Sequence, residues 1–528
     1  MANVNDRTAL LAYHDTDEER LQDVESRSSS LDLDKNNGKR RWLFFGSKNH
    51  SYSVRERWVV VVSVVGLMLI CGGFLVGFIA RSSSGSLICN TVERGYQCHK
   101  QYSQLWGQYS PFFSLGFSSE ISPAVPIGCT VTFAQVLSRH GARHPTKNKN
   151  AVYSELIQRV QDSTEHYTGD FTFLEKFDYP FLADDLTPFG ESQMVDSGAR
   201  FYQRYQHLTQ NSEIFIRASG SPRVIASAEK FISGFHTQKL ADPQAKDKST
   251  KPSVGVIIPE TPYTNNTLDH SNCDLFEATK PAHPAQAEFA STFAPPILSR
   301  ITKNLPGANL SITDIPFLMD LCSFHTIALT PDARTISPFC SLFTSTEWTQ
   351  YDYYNTLGKY YGHSAGNPLG ASQGVGFVNE LIARLTNTPV IDHTTVNHTL
   401  DSDPTTFPLN LSLYADFSHD NTMMSIFTAL GLFNGTVPLS NTTVQSAEET
   451  GGYSAAWTVP FGGRAYVEKM VCDSAPVAGK EMVRVLVNDR VVPLYGCKVD
   501  GLGRCGLEEF VEGLSYARGG GDWGRCFV

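Results

Sequence analysis

Val131–Leu137 (VTFAQVL) reads as a short buried strand that runs directly into Ser138-Arg139-His140-Gly141-Ala142-Arg143-His144-Pro145-Thr146. Four of the six side chains from Arg139 to His144 are cationic or can become so, and they repel one another unless an anion sits among them. A strand end opening into a loop is where α/β sheets bind ligands. Gly141 lets the backbone approach closely there. Two arginine forks suit a phosphate, because each donates two parallel hydrogen bonds. A histidine between them can attack phosphorus through a neutral ring nitrogen. The alternative reading is a solvated basic loop.

Two further segments repeat this layout. Ile214–Ile216 is a second strand candidate, and a Gly/Ser loop leads from it to Ser221-Pro222-Arg223, which supply an N-cap, a first helical residue and a first-turn cation. A helix N-terminus at Arg223 also favours an anion; alternatively, Arg217 or Arg223 pairs with a surface carboxylate. Leu411–Ala415 is an apolar strand that ends in a polar loop, Asp416 to Asn421, holding the pair His419-Asp420. A histidine there can donate to phosphate, and expulsion of an alkoxide needs a general acid, for which Asp420 fits if its site keeps it protonated at low pH. The alternative is that Asp420 or Asn421 caps a helix over Thr422–Leu430.

Around these segments, strand and helix signals alternate. Met423, Ile426, Phe427 and Leu430 share one helical face, ended by Gly431. Val378, Leu381, Ile382 and Leu385 mark another helix over 377–385. Val483–Val487 and Val491–Leu494 flank Asn488-Asp489-Arg490 as a hairpin. The mixed order predicts an α/β core. Residues 236–350, richer in Pro, Asn, Thr and Ser, predict a mainly helical insertion with long loops.

The chain has 528 residues, a net charge of −10, 41% hydrophobic and 18% charged residues. Such a balance excludes a wholly disordered chain and a many-span membrane protein, and it gives no reason to expect nucleic acid as a partner. Trp58–Ala80 carries no charge over 23 residues; as a helix it would rise about 35 Å, enough to span a bilayer. Lys39, Arg40, Arg41, Lys48, Arg55 and Arg57 precede this segment and Arg81 alone closely follows it. The expectation is a transmembrane signal-anchor at 58–80, a disordered cytosolic tail at 1–57 and a lumenal or extracellular region at 81–528. Cleavage near Ala80–Ser84 would make the protein secreted. Cys71 lies in the span and ten cysteines follow it, an even set that fits disulfides in an oxidising compartment; their spacing is too irregular for zinc. Sequons at Asn265, Asn309, Asn397, Asn410, Asn434 and Asn441 point to the same compartment.

Taken together, these elements resemble the histidine acid phosphatases, and most closely their fungal phytase branch (3-phytase A-like). Arg139–Pro145 matches the RHGxRxP pattern in full, and His419-Asp420 matches the HD pair 280 residues later. Leu105–Phe113, Asp185–Gly190, Tyr360–Gly370 and Gly519–Trp523 extend the likeness over nearly all of 85–528. The resemblance implies a phosphoglycerate-mutase-like large α/β domain with a smaller, mainly helical domain, here preceded by the single transmembrane helix. It implies His140 as nucleophile, forming a phosphohistidine, and Asp420 as proton donor to the departing inositol oxygen. Arg139, Arg143, Arg223 and His419 would bind the transferred phosphate, and Gln108, Tyr109, Thr146 and Lys359 would touch the substrate. Implied disulfides are Cys89–Cys98, Cys129–Cys472, Cys273–Cys526, Cys322–Cys340 and Cys497–Cys505.

The resulting expectation is a monomeric hydrolase of phytate with an acidic optimum. Its partners are a small polyanionic substrate and, through Trp58–Ala80, a membrane; no metal or other cofactor is expected. A broad-specificity acid phosphatase on the same residues, or a catalytically silent membrane-anchored binding protein, are the alternatives. Gly358 stands where close relatives can carry a second lysine beside Lys359, which weakens the expected hold on distal phosphates.

Overall fold

In the computed structural model, which describes residues 89–473 and 476–527, VTFAQVL lies within the central strand of a mixed sheet. Among the described residues that sheet has eight strands: β1 (Cys129–Arg139), β2 (Ile214–Ser219), β3 (Val256–Ile258), β4 (Leu413–Ser418), β5 (Arg464–Cys472), β6 (Glu481–Val487), β7 (Arg490–Val492) and β8 (Cys505–Gly506). Their order is β8-β6-β5-β1-β4-β2-β3, with β7 paired to β6. From β1 through β4 and β2 to β3 the pairing is parallel, so the carboxyl ends of four strands share one edge. On the other side of β1 the pairing is antiparallel.

Strand β1 is covered on both faces. Phe133 and Leu137 join one core with Phe377, Leu381, Met423 and Ile426, while Ala134 and Val136 join another with Phe201, Phe231 and Phe235. Val131 belongs to the second core, although it stands an odd three positions before Ala134. A register shift between Val131 and Phe133 accounts for this, because one extra residue flips the side-chain alternation. Among the described residues there are eight longer helices: α1 (Lys147–Ser163), α2 (Pro188–Arg204), α3 (Pro222–Ala241), α4 (Ala282–Asn304), α5 (Asp314–Leu329), α6 (Ser345–His363), α7 (Val375–Thr386) and α8 (Asp420–Ala429).

The stretch 236–350 is not one unit. It begins inside α3, supplies the edge strand β3, and only then becomes the helices α4 and α5 and the start of α6. Helix α6 starts at a capping box: the Thr344 hydroxyl accepts from the Glu347 N–H, and the Glu347 carboxylate accepts from the Thr344 N–H. The β6–β7 hairpin turns through Asn488 and Asp489, both at positive φ (48° and 68°), as a two-residue hairpin loop requires. Gly431, at φ 73°, ends α8.

All five disulfides are present: Cys89–Cys98, Cys129–Cys472, Cys273–Cys526, Cys322–Cys340 and Cys497–Cys505. Cys129–Cys472 ties the start of β1 to the end of its antiparallel neighbour β5.

The membrane reading needs correction. Among the described residues no helix is long and apolar enough to cross a membrane. The longest, α4, spans 23 residues, but polar and charged side chains such as Gln286, Glu288, Arg300 and Lys303 interrupt it. The expected span, Trp58–Ala80, lies outside the described residues, as does the tail 1–57. The fold class shown is therefore a mixed α/β fold, and the preceding transmembrane helix is not supported. The single-pass localisation built on that helix is not retained.

Candidate active site

Parallel pairing brings the two sequence motifs together. Arg139 of β1 lies opposite Ser418 of β4, and the His140 N–H donates to the Ser418 carbonyl at 3.3 Å. The next residue on each strand is a histidine, and the rings of His140 and His419 meet edge to face with centroids 5.7 Å apart. Arg139, His140 and Arg143 are each at most 1% exposed, so this is not a solvated basic loop. The loop is held by a close backbone approach to the start of α2. A Cβ on Gly190 would lie 1.8 Å from the Ala142 carbonyl oxygen, and one on Gly141 would lie 2.4 Å from the Gly190 oxygen.

His140 Nδ1 lies 2.9 Å from the carbonyl oxygen of Gly141. A carbonyl only accepts, so Nδ1 carries the proton and Nε2 of the neutral ring keeps its lone pair. Burial pushes the His140 pKa well below its ordinary value, and Arg139, Arg223, Arg143 and His419 push it further the same way. Both effects favour the neutral ring.

The cations around His140 come from four elements. The Arg139 guanidinium stacks 4.4 Å from the Phe461 ring centre and donates to the backbone carbonyls of Val459, at 2.8 Å, and Gln108. Arg143 lies 5.9 Å from the same ring centre and donates to the His144 carbonyl at 2.9 Å. Arg223 stands in the first turn of α3, after Pro222 at the first helical position, 3.7 Å from Asp184. Lys359, from α6, reaches Asp420 Oδ2 and Asn421 Oδ1, both at 2.5 Å.

Asp420 is the first residue of α8 and is buried; no side chain caps that helix, whose N-cap residue is His419. Its carboxylate meets Lys359 and, at 3.4 Å, Arg139. Burial alone would raise its pKa, but Arg139 and Lys359 outweigh burial and hold the carboxyl well below its usual range. In this arrangement Asp420 is ionised, which corrects the expectation that its site keeps it protonated. The reason is its two cationic neighbours, which the sequence does not reveal.

The remaining expected substrate contacts come from the segment before β1, with Gln108 and Tyr109, and from the start of α1, with Thr146. Gln108 donates to Asn355 at 3.0 Å, and Tyr109 accepts from Lys149. Tyr109 packs 4.8 Å from Phe324 and 6.0 Å from Phe461, ring centre to ring centre. Thr146 is buried at the N-cap position of α1 and makes no side-chain capping bond. Arg217, by contrast, lies behind the site and pairs with Asp416 and Glu380 at 2.8 and 2.6 Å. Among the described residues no group of three His, Cys, Asp or Glu side chains is placed to hold a metal ion.

Sequence reasoning missed three participants. Phe461 touches His140, Arg139, Arg143 and Tyr109 from the segment before β5. Lys149 sits three residues into α1, and only its spacing of about one turn from Thr146 hinted at it. Glu260, 2.8 Å from His419 Nε2, follows a strand too short to leave a sequence period.

Comparison with known proteins agrees with this geometry. A family profile described as the histidine phosphatase superfamily (branch 2) matches residues 130–488. Phytase A of Aspergillus oryzae is 58% identical over 440 residues, which cover 83% of this chain and 94% of that protein. Phytase A of Aspergillus fumigatus is 57% identical over 448 residues, covering 85% and 96%. Among solved structures, the phytase from D. castellii superposes with a TM-score of 0.64 at 23% identity, over 80% of this chain and 87% of that one. At that identity the structural likeness bears on the fold.

Proposed function

The chain belongs to the histidine phosphatase superfamily (branch 2), and from that premise we propose that it releases phosphate from phytate through a phosphohistidine on His140. One observation carries the reading. A buried histidine, fixed by the Gly141 carbonyl with Nε2 unprotonated, sits among Arg139, Arg143 and Arg223. The lone pair of Nε2 attacks phosphorus, and the bond to the inositol oxygen breaks. The arginines and His419 take up charge on the phosphoryl oxygens, where fixed donors act most strongly. Water then attacks the phosphohistidine and releases inorganic phosphate.

Asp420 enters as the proton donor once substrate is bound. An incoming phosphate competes for Arg139 and Lys359, the two cations that hold Asp420 ionised. It also brings negative charge beside the carboxyl. Both changes raise the Asp420 pKa, so that it takes a proton and gives it to the leaving oxygen. Gln108, Tyr109, Thr146 and Lys359 would contact the ring's other phosphates. The Phytase A relatives support phytate over a simple phosphomonoester. Gly358 beside Lys359 favours the broader acid phosphatase as a second reading, and turnover of phytate against an aryl phosphate separates the two.

His140→Ala is the test. The variant should release no phosphate from phytate above background. The wild type, quenched in alkali during turnover, should carry a phosphoryl group that is stable in base and labile in acid. Unchanged phosphate release by the variant would refute the mechanism.

A further inference from the structure

We propose that Glu260 is a positioning residue for phosphoryl transfer, holding His419 in one orientation while tying it to the helix start that carries Arg223. The proposal rests on the function read above and adds to it a residue outside both motifs. Glu260 lies two residues beyond β3, a strand of three residues on the sheet edge. Parallel pairing of Ser219 with Ile258 sets the two strand ends side by side. The loop after β3 then runs against Gly220, where a Cβ would lie 3.0 Å from the Glu260 nitrogen and from the Ile258 oxygen. With glycine there, the carboxylate can reach inward.

One oxygen of Glu260 receives two donors. Oε1 lies 2.8 Å from His419 Nε2 and accepts the Ser221 N–H at 3.0 Å. Ser221 is the N-cap residue of α3, and Arg223 follows in its first turn. The carboxylate thus joins two elements that present cationic groups to the same phosphate. Burial would raise the Glu260 pKa, but His419, the Ser219 hydroxyl and then Arg223 bring it down to about 2, so the group only accepts. The proton between them therefore belongs to His419 Nε2, and Nδ1 can donate to the reacting phosphate only when it too carries a proton, as it does in the imidazolium. Without the carboxylate, nothing fixes Nε2 on that side and the ring could turn. A misplacement of about 1 Å in such a group costs on the order of 100-fold in rate.

A carboxylate that merely secured the start of α3 would affect stability and leave the histidine untouched, so the test reads the histidine. In the full-length protein, Glu260→Ala should lower kcat for phytate by on the order of 10–100-fold. Added formate should restore part of that loss in a saturable way, because it supplies the carboxylate that alanine lacks. Glu260→Gln, whose amide oxygen still accepts from Nε2, should recover part of the rate without formate. In the wild type, ¹⁵N spectra should show His419 Nε2 protonated. An alanine variant with wild-type kcat, a loss that neither formate nor glutamine relieves, or an unprotonated Nε2 would each overturn the proposal. The nitrogen spectrum decides even if the alanine variant does not fold. Activity surviving in His140→Ala, by contrast, would refute the hydrolase mechanism itself.

Discussion

Replacing Arg217 with methionine removes one of two cations from a buried cluster directly behind the catalytic edge. Arg217 Nε lies 2.8 Å from Asp416 and its Nη2 2.6 Å from Glu380; Arg384 reaches the other Asp416 oxygen at 2.7 Å. These four side chains are at most 2% exposed. Arg217 and Asp416 are register neighbours on β2 and β4, and Asp416 is three residues before His419, so the cluster locks the strands that present the site. Methionine fills most of the volume but leaves two carboxylates facing one arginine. Breaking a buried pair in this way costs about 3–5 kcal/mol. With an unfolding entropy of about 2.1 cal/mol/K per residue over about 440 residues, that cost lowers Tm by roughly 3–5 °C.

The pH dependence carries a sign. Burial would raise the Asp416 pKa, but Arg217 and Arg384 hold it below its ordinary value. A depressed carboxyl adds stability above its unfolded value, about 3.9, and loses it only as pH falls through the lower folded value. The wild type therefore keeps this contribution from pH 7 to pH 4. In the variant the stranded carboxylate can take a proton as pH falls, which relieves the bare charge. Calorimetry of both proteins at pH 7 and pH 4 should show the Tm gap shrinking in acid. A gap below about 1 °C at pH 7, or one that widens at pH 4, would refute the reasoning.

Two further outcomes follow from the same geometry. Burial and the neighbouring Glu380 carboxylate raise the Asp401 pKa to about 8. A raised acid stabilises fully below its unfolded value and loses that contribution as pH climbs through the folded one, so the wild-type Tm should fall between pH 4 and 8. Asp401→Asn should flatten that fall in a thermal series, and identical slopes would contradict it. Gly190→Ala would place a methyl 1.8 Å from the Ala142 oxygen, forcing the loop after His140 to move. The expected loss in kcat is on the order of 10–100-fold, read by phosphate release, and a wild-type rate would contradict the packing described.

Much of the catalytic edge was legible because it is local. Val131–Thr146 is strand, turn and chemistry in one stretch, and His419-Asp420 repeats that order before a helix. The Asn488-Asp489 turn and the faces of α7 and α8 follow from periods and turn residues that need no partner. The three-residue β3 shows no period, and its contribution, Glu260, meets His419 across 159 positions. Phe461 was invisible for a like reason: an aromatic residue in a loop is ordinary until Arg139 and Arg143 stack on it.

By itself, then, the sequence pointed to the groups proposed to do the chemistry: a histidine between two arginines at one strand end, and a His-Asp pair at another. Side-chain identity and short-range spacing suffice for that. Protonation was decided only by the tertiary structure. A neutral His140 with its proton on Nδ1 depends on burial and on the Gly141 carbonyl. An ionised Asp420 depends on Lys359, 61 residues away, and on Arg139. Charge states are set by desolvation and by charges within a few ångströms, and those distances exist only once the chain has folded.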